Sequence, residues 1–494
     1  MAQPSTLLSR WLARADDDRV AFVDPSGVTR WPAIVDAADR VAVALLAGRR
    51  SLEGERVALL VSPGADFLAA FFGVLRAGGA VVVLSPLHPL PETRYFCDDA
   101  GVRTVIASVD LAERAAPLAP ERTVSAIADL RDATPAPVRA APGDEDAALQ
   151  LYTSGTTGKP KGAVITHGNL ATQQALLGEA WSWSARDVLL HVLPLHHMHG
   201  LAIAMLSAIG AGAATYFLPA FHAEAAWDAM AHATVFMAVP TIHAKLFAML
   251  DAVDAATRER WAANARALRL VTSGSAALPV SVGDRWARLG GAYPLERFGM
   301  TEIGVGTTNP LDPAGRRPGT VGRPLPTVET RVVDDELWVA GPSVFAEYHR
   351  QPEATRDAFV LDGATRWFRT GDTVARDDDG YVRILGRTSV DILKSGGYKL
   401  SALEIEEAMR EHAAVAEVAV VGVADETWGE RVVACVVPHA GRDGECAEDA
   451  LRGFLRERLA PYKVPRQVVL MRELPRNAVG KVVKPELKAR LSKG

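Results

Sequence analysis

The stretch that decides the fold runs from Val57 to Leu84 and reads VALLVSPGADFLAAFFGVLRAGGAVVVL. It begins with an apolar run, Val57–Val61, and closes with another, Ala80–Leu84, and both are typical of buried strands. Between them Ala65–Ala77 carries apolar residues at helical spacing, and Gly78–Gly79 follows as a helix C-cap signal. Strand, helix and strand in succession, with fully apolar strands, predict a parallel α/β sheet.

The alternation resumes later in the chain and then changes character after Gly386. Because 494 residues are too many for one compact core, two or more domains are expected. We predict a large N-terminal domain of mixed and parallel sheets with helices, residues 1–386, and a small mobile α+β domain, residues 387–494. The predicted elements of the small domain are helices at Ile405–Arg410 and Ala447–Leu459 and strands at Val415–Val423, Val432–Pro438 and Gln467–Met471.

Composition and charge are those of an ordinary globular protein, with 49% hydrophobic residues, 23% charged residues and a net charge of −5. No basic excess points to a nucleic acid partner. The three cysteines, Cys97, Cys435 and Cys446, fit neither a zinc site nor a disulfide framework, so a reducing, cytoplasmic setting is expected. A weak homo-oligomer stays open.

Two apolar stretches bear on targeting. The first 22 residues are interrupted by Arg10 and Arg14 and carry acids at positions 16–18, so they fit neither a signal peptide nor a transit peptide. The stretch Leu201–Leu218 contains two glycines and lacks charged anchors. It is expected to be a buried core element, and no membrane span is predicted.

A glycine- and threonine-rich loop is the strongest local signal for function. Residues 153–162 read TSGTTGKPKG, between strand-like Ala148–Tyr152 and Ala163–Thr166. Glycines let the backbone approach an anion, and the hydroxyls and lysines add donors and charge, which suits a polyphosphate better than a bare surface hairpin. Pro160 excludes the P-loop kinase pattern. The candidate phosphate-binding residues are Thr153, Ser154, Gly155, Thr156, Thr157, Gly158 and Lys159.

This loop resembles the signature of the adenylate-forming superfamily, which includes acyl-CoA synthetases, adenylation domains of peptide synthetases and beetle luciferases. Six further motifs follow in the family's order: Ser273–Pro279, Arg297–Glu302, Phe368–Asp372, Gly386-Arg387, Lys394–Lys399 and Pro475–Lys481. The resemblance therefore spans nearly the whole chain. It implies an ATP-dependent acid–CoA ligase that forms an acyl-adenylate.

The resemblance also implies a nucleotide site. Asp372 would accept both ribose hydroxyls, and Arg387 would contact the ribose near the hinge between the domains. Phe298, followed by Gly299, would stack on adenine, although a core phenylalanine is the plain alternative. The other adenine face would be lined by Gly274, Ser275 and Ala276.

Catalytic roles follow from the same resemblance. Glu302 would hold Mg²⁺ together with substrate phosphates, and Thr301 would lie by the α-phosphate. The alternative for Glu302 is a surface glutamate near a turn. Lys481 would stabilise the charge that develops during adenylation. After a rotation of the small domain, Ser395, Gly396 and Gly397 would form the tunnel for coenzyme A.

The residues that would bind the acid substrate are less evident from the sequence. In the run His196-His197-Met198-His199, the two adjacent rings are expected on opposite sides of an extended chain, which disfavours a metal site, and His197 is interpreted as the gate of the acid pocket. Arg297 and Lys245 resemble the cations of malonyl-CoA and methylmalonyl-CoA synthetases, so a dicarboxylate substrate is predicted. The alternatives are that Arg297 pairs with Glu296 or Asp284 and that Lys245 is solvated.

Three other functions stay open. The first alternative is a ligase for short- or medium-chain monocarboxylates. The second is an adenylation domain that loads a carrier protein, and the third is a nucleotide-binding regulator without turnover. The presence of both Lys481 and Glu302 speaks against a regulator.

Overall fold

The computed structural model describes residues 4–153, 160–289, 291–395, 398–425, 427–477 and 481–492. The chain divides into two compact units. The first comprises residues up to Thr330 with Val339–Phe368, and the second comprises Arg331–Trp338 with the chain from Arg369 onward. The predicted border between residues 386 and 387 falls inside the second unit and stays a prediction.

The helices lie mainly in the first unit. In chain order they are α1 Thr6–Leu12, α2 Trp31–Leu46, α3 Ala65–Arg76, α4 Leu90–Ala100, α5 Ala112–Ala115, α6 Ile127–Arg131, α7 His167–Ala180, α8 Ser207–Ala211, α9 Ala223–Ala229, α10 Pro240–Ala252, α11 Ala255–Ala267, α12 Val280–Arg288, α13 Pro352–Ala358, α14 Ala402–Arg410, α15 Glu448–Arg456 and α16 Lys484–Leu491. A π-helical segment, His199–Leu206, precedes α8.

Most strands are short, as expected from the short apolar runs, and β20, β24 and β25 are longer. They are β1 Val20–Asp24, β2 Gly27–Arg30, β3 Arg56–Leu60, β4 Ala80–Val83, β5 Thr104–Ala107, β6 Thr123–Ala126, β7 Ala147–Thr153, β8 Lys161–Thr166, β9 Val188–His191, β10 Ala214–Phe217, β11 Val235–Ala238, β12 Leu270–Ser273, β13 Leu295–Met300, β14 Gly304–Thr308, β15 Arg323–Pro324, β16 Glu329–Val333, β17 Glu336–Ala340, β18 Glu347–Tyr348, β19 Phe359–Asp362, β20 Thr365–Arg376, β21 Val382–Arg387, β22 Ile392–Ser395, β23 Tyr398–Ser401, β24 Val415–Asp425, β25 Gly429–Pro438 and β26 Gln467–Leu470.

The stretch from residue 57 to 84 forms the strand–helix–strand unit that its sequence predicts. β3 runs parallel to β4, with Val57 opposite Val81, and also parallel to β5. The helix between them, α3, is buried from Phe67 to Arg76, and a Cβ on Gly73 would come within 2.5 Å of Val41 on α2. Within the described chain these strands belong to a sheet of order β18-β8-β7-β4-β3-β5-β6.

A second sheet in the first unit has the order β15-β14-β13-β12-β11-β9-β10-β1-β2. Its strands β9, β11, β12 and β13 are parallel, so the segments that follow β12 and β13 leave from the same edge. Ligands of α/β proteins bind beyond the carboxyl ends of parallel strands. Two motifs of the candidate site, at residues 273–279 and 297–302, lie at this edge.

The C-terminal part of the second unit is an α+β structure. Its sheet has the order β23-β22-β25-β24, with β26 parallel to β25. Alternate residues of β24 serve two apolar cores, because successive side chains of a strand point to opposite faces. Val418 and Val420 pack with α14 and α15 on one face, and Val421 packs with Leu487 of α16 on the other.

The apolar stretch that ends at Leu218 is buried in the first unit as the π-helical segment, α8 and β10. None of the helices in the described ranges is long and apolar enough to span a bilayer.

Candidate active site

The glycine- and threonine-rich loop is held by two antiparallel strands. β7 and β8 pair along their length, with Thr153 opposite Lys161. A Cβ on Gly162 would lie 2.3 Å from Gln150 Nε2, so only glycine fits there. The Tyr95 hydroxyl donates a hydrogen bond of 2.8 Å to the carbonyl of Pro160. The loop residues Ser154, Gly155, Thr156, Thr157, Gly158 and Lys159 lie outside the described residues, and their role stays a prediction.

Glu302 is a buried carboxylate and not a surface glutamate. It lies in the turn between β13 and β14 with 5% of its surface exposed. The Tyr348 hydroxyl donates to Glu302 Oε1 at 2.8 Å, and the Phe345 amide donates to the Glu302 carbonyl at 2.8 Å. Tyr348 lies on β18, which pairs with β8. The carboxylate is therefore tied to the strand that carries one arm of the phosphate loop.

The arrangement around Glu302 suits a divalent cation that is shared with a ligand. No cluster of three His, Cys, Asp or Glu side chains in the described ranges is arranged to hold a metal ion alone. Mg²⁺ typically takes one or two carboxylates and completes its shell with phosphate oxygens and water. Thr301 is half-buried beside Glu302. A single buried carboxylate, tied through Tyr348 to β8, which follows the candidate phosphate-binding residues in the chain, fits that pattern.

Arg297 is a buried cation, and among the described residues no ion pair neutralises it. Its side chain lies on β13 with 3% exposure, and burial lowers its pKa to about 9. Within the described part of the chain, its Nε and Nη2 have no hydrogen-bond partner. Neighbouring Glu296 instead accepts from the Gly319 amide at 2.8 Å through Oε1. The alternative in which Glu296 neutralises Arg297 is therefore not what the structure shows.

Gly274 makes room for the guanidinium of Arg297. It follows β12 directly and is buried, and a Cβ there would lie 2.4 Å from Arg297 Cζ. That distance is far below van der Waals contact, so a larger residue would displace the arginine. Gly274, the glycine of the Ser-Gly-Ser motif, thus provides space for the Arg297 side chain, in addition to any contact it makes with adenine.

The residues expected around adenine are placed at the same sheet edge. Phe298 is half-buried on β13, and Ser275 and Ala276 are exposed after β12. Ser275 has a φ of +70°, an uncommon conformation for serine that is often found at functional turns. A Cβ on Gly299 would lie 2.1 Å from the Gly304 carbonyl oxygen, so the hairpin requires glycine there. Base stacking by Phe298 stays a prediction.

The histidine run folds differently from the expectation. His196 and His197 lie in a turn, and their ring centroids are 4.2 Å apart, so the expectation that they face opposite sides is wrong. The His88 ring lies 5.6 Å from His196. Burial, reinforced by neighbouring imidazoles, lowers the pKa of His196 to about 3 and that of His197 to about 4. The rings are therefore neutral at pH 7, and the gating role of His197 stays a prediction.

His199 lies between the acid-site residues and the Ser-Gly-Ser motif. Its Nδ1 is 3.2 Å from Ser275 Oγ. Burial and then the charge of Arg297 hold its pKa well below the ordinary value. The Arg297 guanidinium is thus one of the charges that keep the His199 ring neutral.

Lys245 has a different environment from Arg297. It is exposed on α10, whereas His243 on the same helix is buried and bonded to Trp286 Nε1 at 3.1 Å. The structure therefore gathers Arg297, His199 and Gly274 at one place and leaves Lys245 at the surface. Its role in acid binding stays a prediction.

The ribose candidates of the second unit contact each other. Arg387 Nε lies 3.2 Å from Asp372 Oδ1, and the two residues are opposite each other on β21 and β20. Arg387 also donates through Nη1 to the carbonyl of Thr370. Gly371, with a φ of +71°, permits the bend that precedes Asp372. An aligned carboxylate and guanidinium offer both an acceptor and donors to a diol.

Lys481 is exposed and lies near the C-terminus. Its amide donates to Asn477 Oδ1 at 2.9 Å, and the Asn477 amide donates to its carbonyl at 2.9 Å. Of the residues expected to line the coenzyme A tunnel, Ser395 is buried at the end of β22. Gly396 and Gly397 lie outside the described residues.

Comparison with known proteins assigns the family. Residues 8–349 match the AMP-binding enzyme family, and residues 404–481 match the AMP-binding enzyme C-terminal domain. The chain belongs to the AMP-binding enzyme family. The expected membership of the adenylate-forming enzymes is thereby confirmed.

Relatives of this AMP-binding enzyme are similar over nearly its whole length. The mouse (Mus musculus) protein named malonate–CoA ligase ACSF3, mitochondrial, is 39% identical, over 96% of this chain and 89% of the relative. A malonate–CoA ligase of Arabidopsis thaliana is 38% identical, over 90% of this chain and 79% of the relative. ATP-bound MatB from Rhodopseudomonas palustris superimposes with a TM-score of 0.89 at 34% identity and 99% coverage of both chains. The predicted fold class is confirmed by this similarity.

Sequence analysis of this AMP-binding enzyme missed Tyr348, His88 and the full environment of His199. Tyr348 is 46 positions from Glu302, and no local pattern links the two. Tyr348 lies four positions before Pro352, and nothing in the sequence around it points to Glu302.

Proposed function

We propose that this AMP-binding enzyme is an ATP-dependent malonate–CoA ligase that also accepts methylmalonate. The observation that carries the acid specificity is the buried Arg297, whose Nε and Nη2 lack partners in the described ranges. A buried guanidinium without a counter-ion is costly, and a second carboxylate on the substrate would supply the missing charge in bidentate geometry. Relatives named malonate–CoA ligase support the same acid.

In the first half-reaction, one carboxylate oxygen of malonate attacks the α-phosphorus of ATP. The bond from that phosphorus to the bridging oxygen breaks, and pyrophosphate leaves. Arg297 would hold the distal carboxylate and so present the reacting one in a fixed orientation. Lys481 would stabilise the negative charge shared by the attacking carboxylate and the α-phosphate. The glycine- and threonine-rich loop would cradle the phosphates that leave.

In the second half-reaction, the sulfur of coenzyme A attacks the acyl carbon of malonyl-adenylate. The thiol proton is lost, the acyl–oxygen bond breaks, and AMP leaves. Ser395 and the two glycines after it would line the channel for the pantetheine arm. A solved malonyl-CoA ligase complex with methylmalonyl-CoA and AMP, 38% identical with a TM-score of 0.68, supports coenzyme A as acceptor.

Glu302 would hold Mg²⁺ at the phosphates, and Tyr348 would orient its carboxylate. Bound Mg²⁺ supplies charge neutralisation for the triphosphate. Tyr348 fixes one carboxylate oxygen by its 2.8 Å hydrogen bond, which leaves the geometry of Glu302 defined before any ligand arrives.

Pyrophosphate release over a panel of mono- and dicarboxylates, with and without coenzyme A, tests the proposal. We expect release with malonate and methylmalonate, and little with acetate, butyrate or benzoate. Thioester should appear only when coenzyme A is present. Preference for a monocarboxylate would contradict the acid assignment, and transfer to a carrier protein in preference to coenzyme A would contradict the acceptor.

The matched variant for this test is Arg297→Ala. It should abolish turnover of malonate while ATP binding, measured by calorimetry, stays within about threefold of the wild type. Lys245→Ala tests the contribution of the second candidate cation apart from that of Arg297. The two positions differ, because Lys245 is exposed and Arg297 is buried. Unchanged kinetics of Arg297→Ala with malonate would remove the specificity claim.

A cytoplasmic location is part of the proposal. The cysteines Cys97, Cys435 and Cys446 are all buried free thiols, as expected in a reducing compartment. Some relatives carry the word mitochondrial in their names, so cell fractionation of the tagged protein is the direct test.

A further inference from the structure

Lys484 is a buried lysine three residues beyond Lys481. It is the first residue of α16, and its side chain is 11% exposed. Its Nζ lies 2.5 Å from Asp391 Oδ1 and 2.7 Å from Glu406 Oε1. Two elements far away in sequence are therefore joined to the C-terminal segment through one ammonium group.

This placement is energetically demanding. A cation at a helix N-terminus is opposed by the helix dipole, and removal of an ammonium group from water costs several kcal/mol. Burial by itself lowers the pKa of Lys484, but Glu406 and Asp391 outweigh it and raise the pKa above the ordinary value. The lysine is thus charged, and the two carboxylates fix where its segment lies.

Asp391 connects this lysine to the nucleotide residues. Its Oδ2 accepts from the Arg387 amide at 3.0 Å, and its own amide donates to the Arg387 carbonyl at 2.7 Å. A Cβ on Gly386 would lie 2.3 Å from Asp391 Cβ, so the turn packs closely. Arg387 in turn contacts Asp372 at 3.2 Å.

Toward the N-terminus, Lys484 directly follows the segment that carries Lys481. The Val483 amide donates to the Pro475 carbonyl at 2.8 Å, and Arg476 pairs with Val482. These bonds close the base of that segment immediately before Lys484. A shift of Lys484 would therefore be transmitted to Lys481 through only two intervening residues, Val482 and Val483.

We propose that Lys484 is a positioning residue for adenylation, and that its ion pair with Asp391 sets the place of Lys481 relative to the Asp372–Arg387 pair. The inference rests on the proposed function, in which Lys481 acts on the nucleotide whose ribose those residues bind. Lys484 itself touches no reactant. It matters for the first half-reaction, because only that step uses Lys481.

The test compares two isosteric variants that each remove one carboxylate from the same ammonium. Asp391→Asn breaks the link to the Arg387 turn, whereas Glu406→Gln breaks the link to α14. For each we would measure adenylation as pyrophosphate release from malonate and ATP, and thioester formation from supplied malonyl-adenylate. Thermal unfolding is recorded for every variant.

We expect Asp391→Asn and Lys484→Met to slow adenylation about tenfold or more, and to change thioester formation less than about threefold. Lys484→Arg should restore adenylation, because it keeps the charge. Glu406→Gln should lower the melting temperature without changing the ratio of the two rates. Lys488→Met is the control, since Lys488 lies on the same helix in an exposed pair with Glu430.

The inference is overturned if Asp391→Asn leaves both rates unchanged, or if both rates fall by one factor that follows the loss of stability. Because Asp391→Asn preserves the shape of the side chain, it tests the positioning role of Lys484 even if Lys484→Met fails to fold. A wild-type protein that forms no acyl-adenylate with any acid would overturn the proposed function, and this inference with it. If the wild-type protein forms an acyl-adenylate with an acid other than malonate, the same variants are compared with that acid as substrate.

Discussion

The hydroxyl of Tyr348 donates a 2.8 Å hydrogen bond to Oε1 of Glu302. Both side chains are buried, and Tyr348 lies on β18 opposite Ala163 of β8. The candidate magnesium ligand is thereby oriented by the strand that forms one arm of the phosphate loop. Orientation before ligand binding lowers the cost of assembling a site from distant segments.

Tyr348→Phe should raise the magnesium concentration required for adenylation. A hydrogen bond to a buried carboxylate contributes about 1.5–3 kcal/mol, which corresponds to about ten- to a hundredfold in affinity. The measurement is pyrophosphate release as a function of magnesium at saturating malonate. Tyr216→Phe, on β10 of the same unit, is the control. A magnesium dependence equal to that of the wild type would show that the hydroxyl does not orient the ligand.

Gly274→Ala should reproduce the defect of Arg297→Ala in part. Its new Cβ would lie 2.4 Å from Arg297 Cζ, so the guanidinium must move. Because a displacement of about 1 Å can cost about a hundredfold in rate, we expect the kcat/KM for malonate to fall strongly. Steady-state kinetics with malonate measure this change.

Gly178→Ala is the control for that substitution, since a Cβ on Gly178 meets nothing within 4 Å. ATP binding by Gly274→Ala distinguishes the two roles of this glycine. Loss of malonate turnover with intact ATP binding supports the contact with Arg297. Loss of ATP binding alone would instead favour a role limited to adenine.

The parts of the fold that depend on local patterning were predictable. The strand–helix–strand unit around α3 and the hairpin of β7 and β8 follow from short-range apolar runs and glycine positions. β24 was also predictable, because its run from Val418 to Val423 has no charged residue and reflects burial on both faces. In each case the decisive interactions lie close in sequence.

The failures concern contacts that sequence spacing does not encode. His196 and His197 were expected on opposite sides of an extended chain, but a turn brings their rings together. Period-two alternation applies only where the backbone is extended. The pair of Tyr348 with Glu302 and that of Lys484 with Asp391 depend on tertiary packing between segments far apart in the chain.

Buried histidines predict a loss of stability in acid. Burial lowers the pKa to about 4 for five side chains, His167, His191, His197, His243 and His349. Above pH 6.5 these groups are neutral in both the folded and unfolded states. As pH falls from 6.5 toward 4, the histidines of the unfolded state bind protons, whereas the same histidines in the folded state stay neutral. The free energy of unfolding therefore decreases. Below the folded pKa the loss levels off.

His243 is the sharpest case, because its Nδ1 accepts from Trp286 Nε1 at 3.1 Å and its Nε2 lies 3.2 Å from the Thr272 carbonyl. A proton on Nδ1 would oppose the indole donor. His243→Gln should reduce the steepness of the pH dependence by about 1.4 kcal/mol per pH unit within this window. Urea unfolding followed by tryptophan fluorescence measures it. The exposed His222 provides the control variant His222→Gln, and equal slopes for both variants would contradict the assignment.

Lys481→Ala should separate the two half-reactions. Removal of one group that stabilises transition-state charge costs about 10²–10³-fold in rate, so adenylate formation from malonate and ATP should almost cease. The second half-reaction forms and breaks no bond at the α-phosphorus, because the sulfur attacks the acyl carbon and AMP leaves with the electrons of the broken acyl–oxygen bond. Supplied malonyl-adenylate should therefore become thioester at close to the wild-type rate. Lys488→Ala, at an exposed position on α16, should change neither rate. Equal losses in both assays would mean that Lys481 serves a step common to the two reactions, and the separate presentation of this lysine and of the Ser395 channel would have to be abandoned.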